Sequence, residues 1–307
     1  MKLLALMALF FAGKEIAPGV VLITGQLSHD ESPDGNSILL RGTEGWVVID
    51  PGRGGEHTDE VLRFLSDSGG SPRAVVNSHW HLDHIGGNAK FRRAWPKATI
   101  YAHPALDSAL AGFHAESRAE LEKLIPTIES PPLKARLETE LELLKLDREL
   151  AADEGVTASG PMTLAGRALD LHVETRAVSD GDIWIFDRES KTIVAGDLVT
   201  LPVPLFDTAC PEGWQQALSR VASLEFETLV PGHGDPITRD GFFNYRRGFD
   251  ALLECAATGT EGAVCIEGWF RDVKAEDSPY ARELLAYYLK QFLRRAAPGR
   301  ERWCKNQ

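Results

Sequence analysis

Residues 77–88 read NSHWHLDHIGGN and place three histidines and one aspartate within six positions. A short apolar run before this stretch predicts a β-strand, and the residues after it predict a helix. The polar cluster is therefore expected on a loop at the C-terminal end of a strand. Because alternate residues of a tight loop point in two directions, His79 and His81 can face one ion while Asp83 and His84 face another. Imidazole and carboxylate groups are good ligands for zinc, iron and manganese, and the cluster predicts a metal site.

Strand-rich segments lie on both sides of this cluster, in two similar halves. Strands are predicted at residues 20–24, 37–40, 46–49, 74–77, 99–102, 168–174, 182–186, 192–195 and 228–230. Helices are predicted at residues 58–68, 85–95, 214–224, 240–257 and 278–296. Strands with helices before and after them, repeated in two halves, predict a layered α/β sandwich.

Residues 104–153 differ from both halves, because they are rich in Leu, Glu, Ala, Lys and Arg and contain no β-like run. Pro131 and Pro132 divide the segment into two predicted helices. In the second helix, four leucines at steps of four, four and three share one stripe: Leu133, Leu137, Leu141 and Leu144. The segment is predicted to be a helical insert that covers the fold and forms part of a wall of the site. A lid over the site is the alternative.

Charge and composition limit the partners that the chain can have. The 307 residues include 45 acidic and 33 basic side chains, for a net charge of −12, and 43% of them are hydrophobic. An acid excess disfavours nucleic acid, whose binding rests on clustered Lys and Arg. No apolar run reaches the roughly 18 residues of a spanning helix. We expect a small-molecule substrate, no nucleic acid and no stable membrane insertion, with the oligomeric state left open.

The first 13 residues, MKLLALMALFFAG, resemble a secretory signal, because Lys2 precedes an apolar run. A buried N-terminal segment is the alternative, since the pattern of small residues at the cleavage site is poor. The signal predicts a periplasmic or secreted protein, and without it the protein would be cytoplasmic.

Four cysteines are compatible with two disulfide bonds: Cys210, Cys255, Cys265 and Cys304. Cys255 and Cys265 flank a Gly-containing turn and are the easiest pair to bridge, which leaves Cys210 with Cys304. Free buried thiols are the alternative.

The HxHxDH motif at residues 79–84, followed by Gly-Gly-Asn, resembles that of the metallo-β-lactamase superfamily. Three further stretches resemble short motifs of that family in the same order: VIDPG at 48–52, AGD at 195–197 and PGHG at 231–234. The resemblance implies a four-layer αββα sandwich at residues 14–239, with the insert at about 104–153. Residues 240–307 would then form a helical C-terminal extension packed on the same domain.

The resemblance also implies a set of metal ligands. His79 and His81 would belong to a first metal site, Asp83, His84 and His233 to a second, and Asp197 would bridge both. Asp83 would in addition take a proton during turnover, which makes it the expected catalytic residue. Asp50 would hold the motif loop by hydrogen bonds, as the loops that carry ligands generally require.

One position departs from the family pattern. The family places a third first-site histidine on the loop after a strand, and residues 176–182 read RAVSDGD here. The histidine position falls on Val178, whose side chain has no donor atom. His172 is six residues earlier, about 20 Å away along an extended strand. His29 and His114 are other replacements, from an entrance loop and from the insert.

The loss of this ligand makes the two expected metal sites unequal. The second site keeps two imidazoles and two carboxylates, whereas the first keeps two imidazoles and the shared carboxylate. Zinc commonly uses three or more protein ligands. We therefore expect one tightly bound zinc ion in the second site and a weak or absent ion in the first, with iron or manganese as other suitable metals.

The resemblance implies a metal-dependent hydrolase. A metal lowers the pKa of a bound water toward neutrality, and the candidate bonds are ester, thioester, lactone and amide. The charge disfavours the family's nucleases, and Asp197 disfavours its true β-lactamases. His81 and the lack of a flavodoxin-like domain disfavour its di-iron oxygen-reducing enzymes. The glyoxalase II-like and quinoprotein-relay-type hydrolases are the expected types. The alternative is a catalytically impaired member that binds a metal or ligand.

Overall fold

The computed structural model describes residues 13–27 and 32–293 together with Cys304. Residues 1–12 of the predicted signal, His29 and the other residues after position 293 lie outside the described part of the chain.

Seven strands form the first sheet and follow one another in chain order from β1 to β7. The strands are β1 (Lys14–Ala17), β2 (Val20–Ile23), β3 (Ser37–Gly42), β4 (Gly45–Ile49), β5 (Pro72–Val76), β6 (Thr99–Ala102) and β7 (Glu154–Gly155). The first four strands pair antiparallel, and β4 to β7 pair parallel.

Six strands form the second sheet in the order β13-β12-β11-β10-β9-β8. These strands are β8 (Gly160–Leu164), β9 (Arg167–Glu174), β10 (Asp182–Asp187), β11 (Thr192–Val194), β12 (Thr228–Val230) and β13 (Ile237–Thr238). Strands β11 and β12 pair parallel, and the other neighbours pair antiparallel.

Helices cover the outer faces of both sheets and build the insert. They are α1 (Glu56–Asp67), α2 (Leu82–Ile85), α3 (Asn88–Ala94), α4 (Ala105–Ala109), α5 (Ala115–Leu124), α6 (Pro131–Leu143), α7 (Asp147–Leu150), α8 (Pro211–Ala222), α9 (Arg239–Ala257), α10 (Gly262–Val273) and α11 (Pro279–Tyr288). Two π-helical turns, Leu110–His114 and Leu289–Leu293, continue α4 and α11. Short 3-10 turns lie at Ile125–Thr127 and Gly196–Leu198.

Apolar side chains alternate between the two faces of each sheet, and this alternation creates the layers. In β4, Val47 and Ile49 pack into the core between the sheets, while Val48 packs on the opposite face. The second sheet contributes Ile185 and Val194 to the same central core. The sheets therefore pack face to face.

The outer faces of the two sheets carry helices. Val61 of α1 and Phe91 of α3 pack on the first sheet. Trp214, Phe249 and Trp269, from α8, α9 and α10, pack on the second. The predicted four-layer αββα sandwich is confirmed, with the insert against one side and C-terminal helices on the second sheet.

The predicted helix at residues 85–95 is wrong in one respect, because the structure has two short helices, α2 and α3, separated at Gly86 and Gly87. A Cβ atom at Gly86 would lie 2.2 Å from the carbonyl oxygen of Arg53, and one at Gly87 would lie 2.3 Å from that of Pro51. The turn after β4 thus packs directly against the motif loop, and only glycine leaves room for this approach.

Two disulfide bonds join Cys255 to Cys265 and Cys210 to Cys304. Cys255–Cys265 is the pair that the sequence marks as the easiest to bridge, and the other bond joins the two cysteines then left over. The alternative of free buried thiols is wrong. Among the described residues, no helix is both long and apolar enough to cross a bilayer.

Candidate metal centre

The sequence-predicted ligands lie where several strands end at one edge of the sandwich. The motif loop follows β5, and Asp50 follows the neighbouring parallel strand β4. Asp197 lies in the 3-10 turn after β11, and His233 follows β12, which is parallel to β11. Carboxyl ends of parallel strands meet at the same edge of a sheet, so side chains far apart in sequence come together here.

Asp83, His84 and His233 form one buried group, in which one ligand atom from each lies within 4.8 Å of the others. The Nε2 atom of His233 is 3.2 Å from Asp83 Oδ2, and the Nε2 atom of His84 is 3.2 Å from Asp197 Oδ1. These close contacts lack hydrogen-bond geometry, so His84 Nε2, His233 Nε2 and Asp197 Oδ1 are buried without a hydrogen-bond partner in the described structure. Buried polar atoms normally have partners, and a cation would satisfy all three atoms at once.

The hydrogen bonds of His84 fix which of its nitrogens is free. His84 Nδ1 lies 2.9 Å from Asp50 Oδ2, and an ionised carboxylate only accepts hydrogen bonds, so Nδ1 carries the proton. Asp50 also accepts hydrogen bonds from the backbone N–H of Ser78 at 2.7 Å and from the Ser78 hydroxyl at 2.6 Å. One buried carboxylate thus fixes both ends of the motif loop and turns His84 Nε2 toward the shared space.

The other pair, His79 and His81, presents two nitrogens to each other, with His79 Nε2 2.9 Å from His81 Nδ1. The Ser78 hydroxyl donates to Asp50 and therefore accepts from His79 Nδ1, at 3.0 Å. The Thr208 hydroxyl donates to the carbonyl oxygen of Val178 and therefore accepts from His81 Nε2, at 2.8 Å. Both facing nitrogens are then unprotonated acceptors. A positive charge between them, a metal ion or a proton, is needed to relieve their repulsion.

Val178 contributes no side-chain atom to this centre. Its side chain is buried in the hydrophobic cluster on the outer face of the second sheet. The residue acts instead through its carbonyl oxygen, which orients Thr208 and through it His81. Asp197 Oδ2, at 3.7 Å from His79 Nε2, is the nearest carboxylate oxygen to this pair among the ion-pair contacts.

The histidines considered as replacements lie elsewhere. His172 stacks on Trp184, with the ring centroids 3.7 Å apart. His114 is buried in the insert and points Nε2 at the carbonyl oxygen of Trp80, at 3.0 Å. Burial lowers the pKa of His114 to about 4, which keeps this ring neutral.

The charge states of the cluster suit a cation. Burial lowers the pKa of both His79 and His81, so both are neutral near pH 7. Burial alone would raise the pKa values of Asp83 and Asp197, but the neighbouring histidines outweigh it and hold both carboxyls ionised. Burial would likewise lower the pKa of His84, but Asp197, Asp83 and Asp50 together raise it well above its usual value. These carboxylates therefore favour a positive charge at His84 Nε2, which is a proton in the metal-free chain and would be the metal ion when one is bound.

A cavity of about 420 Å³ lies against this cluster, and His81, Asp83 and Asp197 line it. The insert contributes Phe113 and Leu144 to its walls, as the sequence leads one to expect. The C-terminal helix α11 contributes Tyr288, whose hydroxyl donates to Asp207 Oδ2 at 2.5 Å. Sequence reasoning missed this last wall, because nothing in the helical pattern of α11 indicates which layer it covers.

A family model described as the metallo-beta-lactamase superfamily matches residues 33–233. The chain is 32% identical over 79 residues to the hydroxyacylglutathione hydrolase of Xanthomonas axonopodis pv. citri (strain 306). This alignment covers 26% of this chain and 29% of that protein. The chain is also 30% identical over 114 residues to the atrochrysone carboxyl ACP thioesterase of Aspergillus terreus (strain NIH 2624 / FGSC A1156). This alignment covers 34% of this chain and 35% of that protein.

Among solved structures, a metallo-beta-lactamase family protein of Thermus thermophilus matches 89% of this chain and 94% of its own, with a TM-score of 0.61 at 18% identity. The two curated matches span only 29% and 35% of those relatives' lengths. The structural match extends the likeness in fold to most of the chain. Since the family model covers more than half of the 307 residues, and the sandwich carries its histidines and aspartates at the strand ends, the chain belongs to the metallo-beta-lactamase superfamily.

Proposed function

We propose that this protein is a metal-dependent hydrolase that uses a zinc-activated water on an ester, thioester, lactone or amide bond. The observation that carries the proposal is the convergence of three partnerless buried atoms, His84 Nε2, His233 Nε2 and Asp197 Oδ1, beside a cavity of substrate size. The thioesterase named among the relatives supports thioesters as the first class to test.

The residues present fit zinc, which favours imidazole and carboxylate ligands. Asp83, His84, His233 and the bridging Asp197 would hold one ion. His79 and His81, with Asp197, would hold a second ion more weakly, because Val178 supplies no ligand. Iron and manganese accept the same donor set.

The chain's own groups divide the remaining work. When bound, zinc supplies a Lewis acid that brings the pKa of a coordinated water near 7. Asp83 lines the cavity and is ionised, so we assign to it the orientation of the attacking water and the acceptance of its proton. Asp50 positions the ligands without reaching the cavity, through its bonds to Ser78 and His84.

Metal analysis of the protein tests the ligand assignment. After purification without chelators and extensive dialysis, we expect about one zinc ion per chain, on the ligand count. His233→Ala should lose this ion, whereas the matched variant His172→Ala, which alters a histidine stacked on Trp184, should keep it. Two tightly held ions per chain would contradict the unequal sites.

Turnover tests the reaction. The chelated and the zinc-loaded protein are compared on thioesters, lactones and a chromogenic β-lactam amide, and we expect turnover only with zinc. The burial of Val178 in place of a ligand supports a second candidate, an impaired member that only binds a metal or ligand. Zinc binding without turnover of any substrate in the panel would favour that candidate.

We also propose a periplasmic or secreted location. Two disulfide bonds suit an oxidising compartment, and the N-terminal sequence resembles a signal. Fractionation of cells that produce the full chain tests this, and recovery in the cytoplasm with reduced cysteines would contradict it.

A further inference from the structure

Arg53 is held firmly beside the candidate metal centre. Its backbone N–H donates to Asp34 Oδ1 at 2.6 Å, and its Nε donates to the carbonyl oxygen of Pro33 at 2.8 Å. Its own carbonyl oxygen packs against Gly86, where a Cβ atom would come within 2.2 Å. The guanidinium group therefore has a fixed position relative to the motif loop, which is what a group that orients a substrate requires.

The charges of the cavity make Arg53 distinctive. Among the described residues that line the cavity, Arg53 is the one Lys or Arg, and Glu140 and Asp207 are also in the lining. Arg53 Nη1 lies 3.3 Å from Glu140 Oε2, a single long contact in place of the two short ones of a bidentate pair. Its Nη2 has no hydrogen-bond partner in the described part of the chain.

Glu140 is placed so that it can be displaced. It lies on α6, none of whose residues is buried, and its side chain is 31% exposed. An ion pair at this level of exposure contributes little to the stability of a fold. Arg53 and Glu140 also line a second cavity of about 510 Å³, which gives the Glu140 side chain room to withdraw.

We propose that Arg53 recognises a carboxylate on the substrate, and that Glu140 occupies this position when no substrate is bound. The proposal rests on the proposed hydrolase function and names its substrate class, an acyl ester or thioester whose acyl group carries a free carboxylate. A planar carboxylate already lies at this place in the structure. A ligand carboxylate would use Nη1 and Nη2 together, as the guanidinium fork favours.

Two variants of the zinc-loaded full chain test the proposal with a matched pair of substrates. The probes are mono-para-nitrophenyl glutarate, which carries the carboxylate, and para-nitrophenyl valerate, which does not. Arg53→Gln should raise KM for the glutarate ester about tenfold or more, since a charge-assisted pair is lost, and leave KM for valerate unchanged. Glu140→Gln should lower KM for the glutarate ester, because the competing carboxylate is gone.

The KM for the glutarate ester should change in opposite directions in Arg53→Gln and Glu140→Gln. A merely structural ion pair would not give this result, because its loss would act alike in both variants. Arg136→Gln is the control, because Arg136 lies on α6 with Glu140 and lines the second cavity but not the first. This variant should leave the ratio of the two KM values unchanged. Equal KM changes for both esters in Arg53→Gln, or a higher KM for glutarate in Glu140→Gln, would overturn the proposal. Arg53→Lys keeps the charge if Arg53→Gln does not fold, and should give an intermediate KM.

Calorimetry with glutarate separates this inference from the proposed function. If the zinc-loaded protein hydrolyses neither ester, the proposed ester hydrolysis fails. Binding of glutarate to the unaltered chain but not to Arg53→Gln would still support recognition by Arg53, and equal binding to both would overturn it.

Discussion

His79 and His81 present unprotonated nitrogens to a cation even without a bound metal, because two separate hydrogen-bond chains fix their tautomers. One chain runs through Ser78 to Asp50, and the other runs through Thr208 to the backbone of Val178. The sequence indicates the ligand types and their spacing. It cannot indicate which ring nitrogen is free, since that depends on Thr208, which lies 127 residues from His81.

Replacing Val178 tests whether the first site lacks only one ligand. Val178→His should raise the zinc content from about one toward two ions per chain, because a third imidazole would complete the ligand set. The apolar surroundings of Val178 should cost the metal-free variant roughly 1–3 kcal/mol of unfolding free energy. Metal analysis by mass spectrometry measures the first effect, and chemical denaturation measures the second.

Val178→Ala is the matched control, since it removes apolar volume and adds no ligand, and its zinc content should equal that of the unaltered chain. A folded Val178→His protein that binds no additional zinc would show that residue 178 is not the missing ligand position.

Secondary-structure elements follow the sequence pattern closely where an apolar period is clear. The predicted strands at 99–102 and 228–230 have the observed bounds. The pattern failed at Gly86–Gly87, where a helix period continues but the packing of the β4 turn divides the helix. The pattern also failed at α10. This helix begins at Gly262, where the sequence predicts a turn between two cysteines.

The individual contacts that the insert makes with the rest of the fold could not be predicted. Arg53 and Glu140 are 87 residues apart, and only the docking of the insert brings them together. His114 and Trp80, 34 residues apart, form another such contact. Their proximity depends on the angle at which the insert packs. The local spacing of apolar residues does not predict that angle.

The contact between the insert and the motif loop should make stability depend on pH. Burial lowers the pKa of His114 to about 4, whereas an unfolded histidine has a pKa near 6.5. Between these values the unfolded chain binds more protons, so stability falls as pH decreases. From pH 7 to pH 5 this residue alone should remove roughly 2 kcal/mol of unfolding free energy.

Urea unfolding of the metal-free protein at both pH values measures this contribution. His114→Gln should show a smaller loss between pH 7 and pH 5 by about that amount, while the glutamine amide can still donate to the carbonyl oxygen of Trp80. An unchanged loss in His114→Gln would contradict the assignment to His114.

At the scale of the whole molecule, the metal centre and the Cys255–Cys265 disulfide are separate features. The four layers carry the centre at the strand ends, whereas Cys255–Cys265 links the end of α9 to the start of α10 on the outer layer of the second sheet. The sandwich was predictable because two strand-rich halves and a family motif agree. The packing of α9 to α11 over the second sheet was not, because amphipathic helices fit several faces.

Removing this disulfide should lower stability without affecting metal binding. The double variant Cys255→Ala/Cys265→Ala opens a loop of sequence separation 10, and the chain-entropy model gives a loss of about 2–3 kcal/mol for a loop of this size. Denaturation curves with intact and altered chains measure the loss, and zinc content should stay the same. A fall in zinc content would show that α9 and α10 support the centre after all.

The position of Tyr288 after all the candidate ligands in the sequence has a consequence for biosynthesis. All six candidate ligands lie between residues 79 and 233, whereas α11 and its cavity wall begin only at Pro279. Because a polypeptide is made and folds from its N-terminus onward, the ligand loops emerge before the wall does. A chain whose α11 has not yet emerged would meet metal ions through an open face, and α11 would then close the substrate cavity around them.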